Sequence, residues 1–312
     1  MRRSRRRSRR GFTLVEILIA MLIGIVIVTS ATGFAVTTWQ SLDGAQIREG
    51  VARNARFLGM SFDRDLQETG VDFGSMPEFG SLAVRNDTLS ILSLPYDDGA
   101  TSGAPVFSLA PRTVAPFVDP MGTCGIRCVD VKLPSGGTVE LEKGDLAVMT
   151  VTGERRLILV NGVTPRADST AVRFANVDSL VHRPATFADG LLLSTATSVQ
   201  KMKMSVYWLE DSTLMRAERF NADGTLDGVV IAEHVLAFDV SLIFTDGDEH
   251  DEANPTDIDP TNDYDDISAV RIRVTLRADR IHSRVNGGAP LERAVEWRFS
   301  PRNLTYERNR TL

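Results

Sequence analysis

Cysteine is nearly absent from this chain of 312 residues: it has two, Cys124 and Cys128. With so few, neither a disulfide-built scaffold nor a four-cysteine zinc site can carry the fold. Histidine is almost as scarce. His182, His234, His250 and His282 are scattered, and the sequence has no GxSxG, HExxH or P-loop pattern. An enzyme is therefore not expected. A general basic field is also missing. Residues 1–10 hold seven arginines and no acid, which leaves 28 basic against 41 acidic residues in the remainder, a balance of −13. That acidic body has no broad surface for a nucleic-acid backbone, and no nucleic-acid partner is expected. There is no Pro/Gly excess and no internal repeat. A composition of 43% hydrophobic and 24% charged residues is that of a folded protein with a sizeable core.

One long apolar run is present. From Phe12 to Val36 the only charged residue is Glu16. About 25 residues suffice to span a bilayer as a helix. Arginines before it place that end in the cytoplasm by the positive-inside rule and send the rest across. A secretory signal peptide has a shorter apolar stretch and a small-residue cleavage site. Thr29-Ser30-Ala31 offers such residues, but the apolar run resumes at Phe34-Ala35-Val36. A plain signal anchor accounts for the arginines and the run. It does not account for a carboxylate four residues into the span, where charge is costly.

The order Arg-rich leader, Gly11-Phe12-Thr13-Leu14-Val15-Glu16 and apolar helix resembles the class III signal of type IV pilins and type II secretion pseudopilins. The resemblance implies that prepilin peptidase, a membrane aspartyl peptidase, cuts after Gly11 and methylates Phe12. It also implies that Glu16 neutralises the Phe12 amine of a neighbouring subunit during assembly. The alternative is a pair within one chain, since Phe12 and Glu16 stand at i and i+4. The implied partners are other minor and major pilins or pseudopilins, the inner-membrane assembly platform, and the membrane itself through residues 12–36. Many major pilins carry a proline within this helix; here none precedes Pro77.

Beyond the span, Ile47, Val51, Ala55, Leu58, Phe62 and Leu66 recur at helical spacing, with charged residues between them. The helix is expected to continue to Thr69-Gly70, where Gly is a stop signal. From Phe12 to Thr69 it would measure roughly 85–90 Å. The predicted organisation is a basic leader over 1–11, a helix over 12–70 (12–36 transmembrane, 37–70 amphipathic) and an extracytoplasmic β-rich head over 71–312. The fold class is α+β, a long N-terminal helix followed by mainly antiparallel sheet. Strands are expected at 82–85, 88–94, 145–151, 155–160, 202–208, 213–220, 235–244, 270–276 and 295–299. Val270, Ile272, Val274 and Leu276 give the cleanest alternation, and the Met202/Met204 pair reads as strand core. Residues 95–135, with six prolines, read as a long surface excursion.

Three segments resemble the W-type minor pilins and the J-type minor pseudopilins. They are the helix end Arg56–Gly70, the pair Val206-Tyr207-Trp208-Leu209 and Leu214-Met215-Arg216, and the closing strands 267–276 and Trp297–Leu304. The resemblance implies a minor pilin in an initiating or tip complex, or else a J-type minor pseudopilin of type II secretion. A single-pass inner-membrane precursor with a periplasmic head would precede the filament.

Two smaller features stay open. Cys124-Gly-Ile-Arg-Cys128 can close a small disulfide loop, hold two free thiols, or contribute to a metal site whose other ligands are missing. The acidic run Asp246–Asp266 reads as a solvated hairpin loop. Calcium is the alternative, through Asp257-x-Asp259-x-x-x-Asp263, but the EF-hand Gly and closing Glu are not in place. No cofactor is expected.

Overall fold

The structure, a computed structural model, describes residues 13–70, 75, 80–94, 106–108, 128–132, 140–151, 154–166, 169–176, 196–221, 224–282 and 285–304. Helix α1 (Leu14–Gln67) is 54 residues long, about 80 Å, and lies inside the expected 12–70. It is followed by a turn to Gly70, whose φ of +72° is the left-handed conformation that glycine adopts at helix ends. Asn303 donates from Nδ2 to the carbonyls of Gln67 and Thr69, satisfying backbone acceptors that the ended helix leaves free.

Strands follow in sequence order. They are β1 (Leu82–Arg85), β2 (Thr88–Ser93), β3 (Val106–Ser108), β4 (Cys128–Lys132), β5 (Leu146–Val151), β6 (Glu154–Pro165), β7 (Ser169–Asn176) and β8 (Ala196–Lys201). Then come β9 (Lys203–Glu210), β10 (Thr213–Phe220), β11 (Leu226–Glu233), β12 (Val235–Phe244), β13 (Glu249–His250), β14 (Ile267–Arg277) and β15 (Glu292–Phe299). They form three sheets, ordered β1-β2-β9-β10-β11, β13-β12-β14-β15 and β3-β8-β5-β6-β7-β4. Every strand pair among the described residues is antiparallel.

Turn chemistry explains the tight hairpins. Asn86 and Asp87 join β1 to β2 at φ of 48° and 55°, and Asp211 and Ser212 join β9 to β10 at 45° and 63°. Two successive positive φ values match the right-handed twist of the flanking strands, and Asn and Asp tolerate them best among residues with side chains. Strand β14 alternates as its sequence demands: Ile272, Val274 and Leu276 are buried while Arg273 and Arg277 face out.

One expectation fails. Within residues 95–135, read as a surface excursion, β3 and β4 are paired edge strands of the six-stranded sheet. Val129 and Val131 on β4 are fully buried. The surrounding prolines hid a five-residue alternation, Cys128 to Lys132, that is too short to stand out. Strands β7, β8 and β11 were likewise not anticipated, and β6 runs five residues beyond the expected 160, past a register shift between Val160 and Gly162.

Residue contacts divide the chain into two compact units, Met1–Ala52 with Ala278–Leu291, and Arg53–Arg277 with Glu292–Leu312. In the first, the connection between β14 and β15 forms a strap on α1. Val285 is buried at Gly44, where an added Cβ would stand 3.1 Å from Val285 Cγ2. Arg280 Nη1 and His282 Nε2 lie 3.5 and 3.8 Å from the Asp43 carboxylate. In the second unit the helical stripe Ala55, Leu58, Phe62 and Leu66 is buried, as its spacing predicted. Phe62 is the centre of an aromatic group, with ring centroids 5.0 Å from Tyr207, 5.9 Å from Trp297 and 6.1 Å from Phe238. Gly59 gives Trp297 its place: a Cβ there would fall 2.7 Å from the indole nitrogen. A further core joins β5 and β6 to β2 and β9, with Met202 and Met204 inside it as the sequence indicated.

Candidate functional site

The start of α1 is fixed by two side chains. Glu16 Oε2 accepts from the Thr13 backbone N–H and the Thr13 hydroxyl, both at 2.9 Å, while Thr13 Oγ1 accepts from the Glu16 N–H at 3.3 Å. Reciprocal bonding of this kind is a capping box, which satisfies donors that a helix N-terminus leaves free. The T-x-x-E pattern is readable in the sequence, but attention to Glu16 as a charge left Thr13 without a role. Gly11 and Phe12, the expected cleavage and methylation residues, lie outside the described residues.

From Leu14 to Val36 the apolar side chains have no cover within the chain. Leu22 is 66% exposed and Phe34 75%. Five hydroxyls in and just beyond this stretch are satisfied within the helix. Thr29, Thr32, Thr37, Thr38 and Ser41 donate to the carbonyls four residues earlier, at 2.8–2.9 Å. Such internal bonding lets a helix carry Thr and Ser into an apolar medium. Among the described residues α1 is the one helix long and apolar enough to cross a membrane.

At its other end α1 is tied into the β-rich unit by a buried ion pair that sequence reading missed. Spacing places Asp65 among the charged residues between the apolar ones, yet it is 5% exposed. Arg216 on β10 donates to it twice, Nε to Oδ2 at 2.8 Å and Nη2 to Oδ1 at 3.1 Å, and Tyr207 Oη donates to Oδ2 at 2.5 Å. Arg216 also reaches Ser205 Oγ at 3.1 Å and Glu218 Oε1 at 2.5 Å. Burial, reinforced by the Asp65 charge, pushes the Tyr207 phenol far above its ordinary value. Burial opposes charge on Arg216, but the Asp65 hydrogen bonds and charge outweigh it and hold the guanidinium above its ordinary value.

The acidic stretch connects β12 to β13 and then to β14, the hairpin loop position expected for it. Asp263, Asp265 and Asp266 bring carboxylate oxygens within 4.8 Å of one another. Asp257 and Asp259 serve their own loop. Asp257 accepts from the Asn254 and Asn262 amides and the Asp259 N–H, and Asp259 accepts from Thr261. Cys128 opens β4, whereas Cys124, and with it the possible Cys124–Cys128 disulfide, falls outside the described residues.

A capped, uncovered apolar helix behind an arginine-rich stretch, followed by an antiparallel β-rich body, suits a protein anchored in a membrane by its N-terminal helix. The family model described as the prokaryotic N-terminal methylation motif matches residues 6–32. The chain thus carries a signal of the kind found in type IV pilins and type II secretion pseudopilins, on a long apolar helix followed by antiparallel sheets, a pilin-like architecture. The motif implies processing by prepilin peptidase and assembly with other pilin-like subunits. No curated protein and no solved structure matches the chain.

Proposed function

We propose that the chain is a minor pilin of a type IV pilus, cut after Gly11, methylated on Phe12 and assembled through α1 into the complex that initiates or tips the filament. The methylation motif over residues 6–32, on a helix whose first half is uncovered, carries this reading. Before assembly, residues 12–36 hold the subunit in the inner membrane. The leader arginines stay in the cytoplasm and the head, residues 71–312, lies in the periplasm. In the filament the same apolar surface packs against neighbouring helices, and Glu16 neutralises the Phe12 amine of an adjacent subunit. An opposite-charge pair there is favourable because each charge alone is so costly in an apolar surrounding. The role is assembly rather than catalysis, with no cofactor and no nucleic acid.

The W-type assignment draws on the Arg56–Gly70, Val206–Arg216 and Trp297–Leu304 resemblances. A J-type pseudopilin of type II secretion would use the same residues, so the two readings separate on company rather than chemistry. Affinity purification of the tagged chain from assembling cells should recover pilus subunits and the pilus assembly platform. Recovery of secretion-system subunits in their place would replace the pilus reading with the pseudopilin one.

A further inference from the structure

The outer end of the apolar run stays uncovered beyond the span. Trp39 is 74% exposed and Leu42 56%. The strap adds a third exposed apolar residue in the same compact unit. Arg280 and His282 both turn to Asp43, and Ile281 between them is left at the surface, 64% exposed. The strap and the first 52 residues belong to one compact unit, so the strap's height along α1 is set by the helix itself.

We propose that the first limb of the strap, Ala278–His282, rests on the outer headgroup layer of the membrane before assembly, with Trp39 and Ile281 entering that layer. The inference rests on reading α1 as the spanning segment, and helix length supplies the height. At 1.5 Å per residue, Glu16 and Trp39 are about 35 Å apart and Glu16 and Asp43 about 40 Å. A bilayer has about 30 Å of hydrocarbon and about 40–45 Å with headgroups. A tilt of about 20° shortens the longer distance only to about 38 Å. With Glu16 in the inner headgroup layer, where its charge costs least, Trp39 falls in the outer one and Asp43 at its far side.

The side chains suit that depth. Indole rings concentrate at membrane interfaces, which suits Trp39, and Ile281, held near Asp43, adds an aliphatic group at the outer edge of the same layer. Among the strap's described residues, Arg280 faces Asp43, with Asp279 3.7 Å from its Nε. The contact proposed for Trp39 and Ile281 is itself apolar. The lipid surface is favoured over a protein partner because Trp39 and Leu42 follow directly on the uncovered apolar run of α1.

The test uses the full chain in phosphatidylcholine vesicles carrying spin-labelled lipid quenchers, shallow or mid-chain. A dansyl-alanine is placed in turn at position 281, 258 or 26. All three sites are exposed, Ile258 completely, so the probe displaces no core. Position 281 should be quenched about two-fold or more by the shallow label, as expected of a group at the headgroup boundary. Position 26 should respond to the mid-chain label and position 258 to neither. Quenching at 26 with position 281 as unresponsive as 258 overturns the strap contact and leaves the span reading intact. Equal quenching at 281 and 258 also overturns it, since the head would then lie on lipid indiscriminately. Loss of quenching at 26 overturns both.

Discussion

Thr13 and Glu16 bond each other in both directions at the first turn of α1, backbone to side chain each way. Glu16 is thus both a helix cap and a carboxylate at the head of an otherwise uncharged run. Glutamine separates the two roles, because its amide oxygen still accepts in a capping box while its charge is gone. Glu16→Gln should be processed and folded like the natural chain yet enter filaments poorly; Glu16→Ala should lose both cap and assembly. Quantifying the subunit in sheared filaments checks this. Normal incorporation of Glu16→Gln would reduce Glu16 to a cap.

The Asp65–Arg216 pair should be the most sensitive polar contact in the second unit. Removing Asp65 leaves the part-buried Arg216 with the more exposed Glu218 as its counter-charge, and Asp65→Ala is expected to lower stability by about 3 kcal/mol. Tyr207→Phe, which loses the hydroxyl's bonds with Asp65, Arg216 and Ser61, should cost about 1–3 kcal/mol. Chemical denaturation of the purified chain in detergent reads both. A loss under 1 kcal/mol for Asp65→Ala would show that the pair contributes little.

Asp87 carries a pH dependence of definite sign. Burial, followed by repulsion from Asp239, Asp251 and Glu252, holds its carboxyl above the usual range. The folded state therefore binds the proton more tightly than the unfolded one, and stability falls as pH rises through the interval between the two pKa values. Asp87→Asn keeps a residue that tolerates the φ of 55° and removes the charge. It should stabilise the chain at pH 7 by about 0.5 kcal/mol or less, given the solvent screening at this turn. The gain should fade below about pH 4. Paired melting curves across pH 3–7 check the slope.

The acidic loop is expected to work as a solvated connection. Millimolar calcium should leave the melting temperature unchanged and evolve no heat in titration calorimetry. A rise of several degrees, lost in an Asp263→Asn/Asp265→Asn variant, would make it an ion site.

What the sequence disclosed follows the range of the interactions. The stripe from Ile47 to Leu66 and the alternation of β14 are set by neighbours within one element, so spacing alone reveals them. Asn86-Asp87 marks its hairpin for the same reason. Asp65 could not be separated from Asp63 in this way, because the arginine that neutralises it lies 151 residues away. The strap at Asp43 likewise joins residues 237 apart. Strands β4 and β8 are short pieces whose buried residues, Val129, Val131 and Val199, owe their burial to their place in a sheet, not to their own patterning.

Mass spectrometry of the mature N-terminus, in cells with and without prepilin peptidase, tests the central claim most directly. The account predicts a chain beginning at N-methylated Phe12 when the peptidase is present and an intact leader when it is absent. A leader retained under both conditions, or cleavage near Ala31, would contradict it and return the protein to the anchored or secreted class.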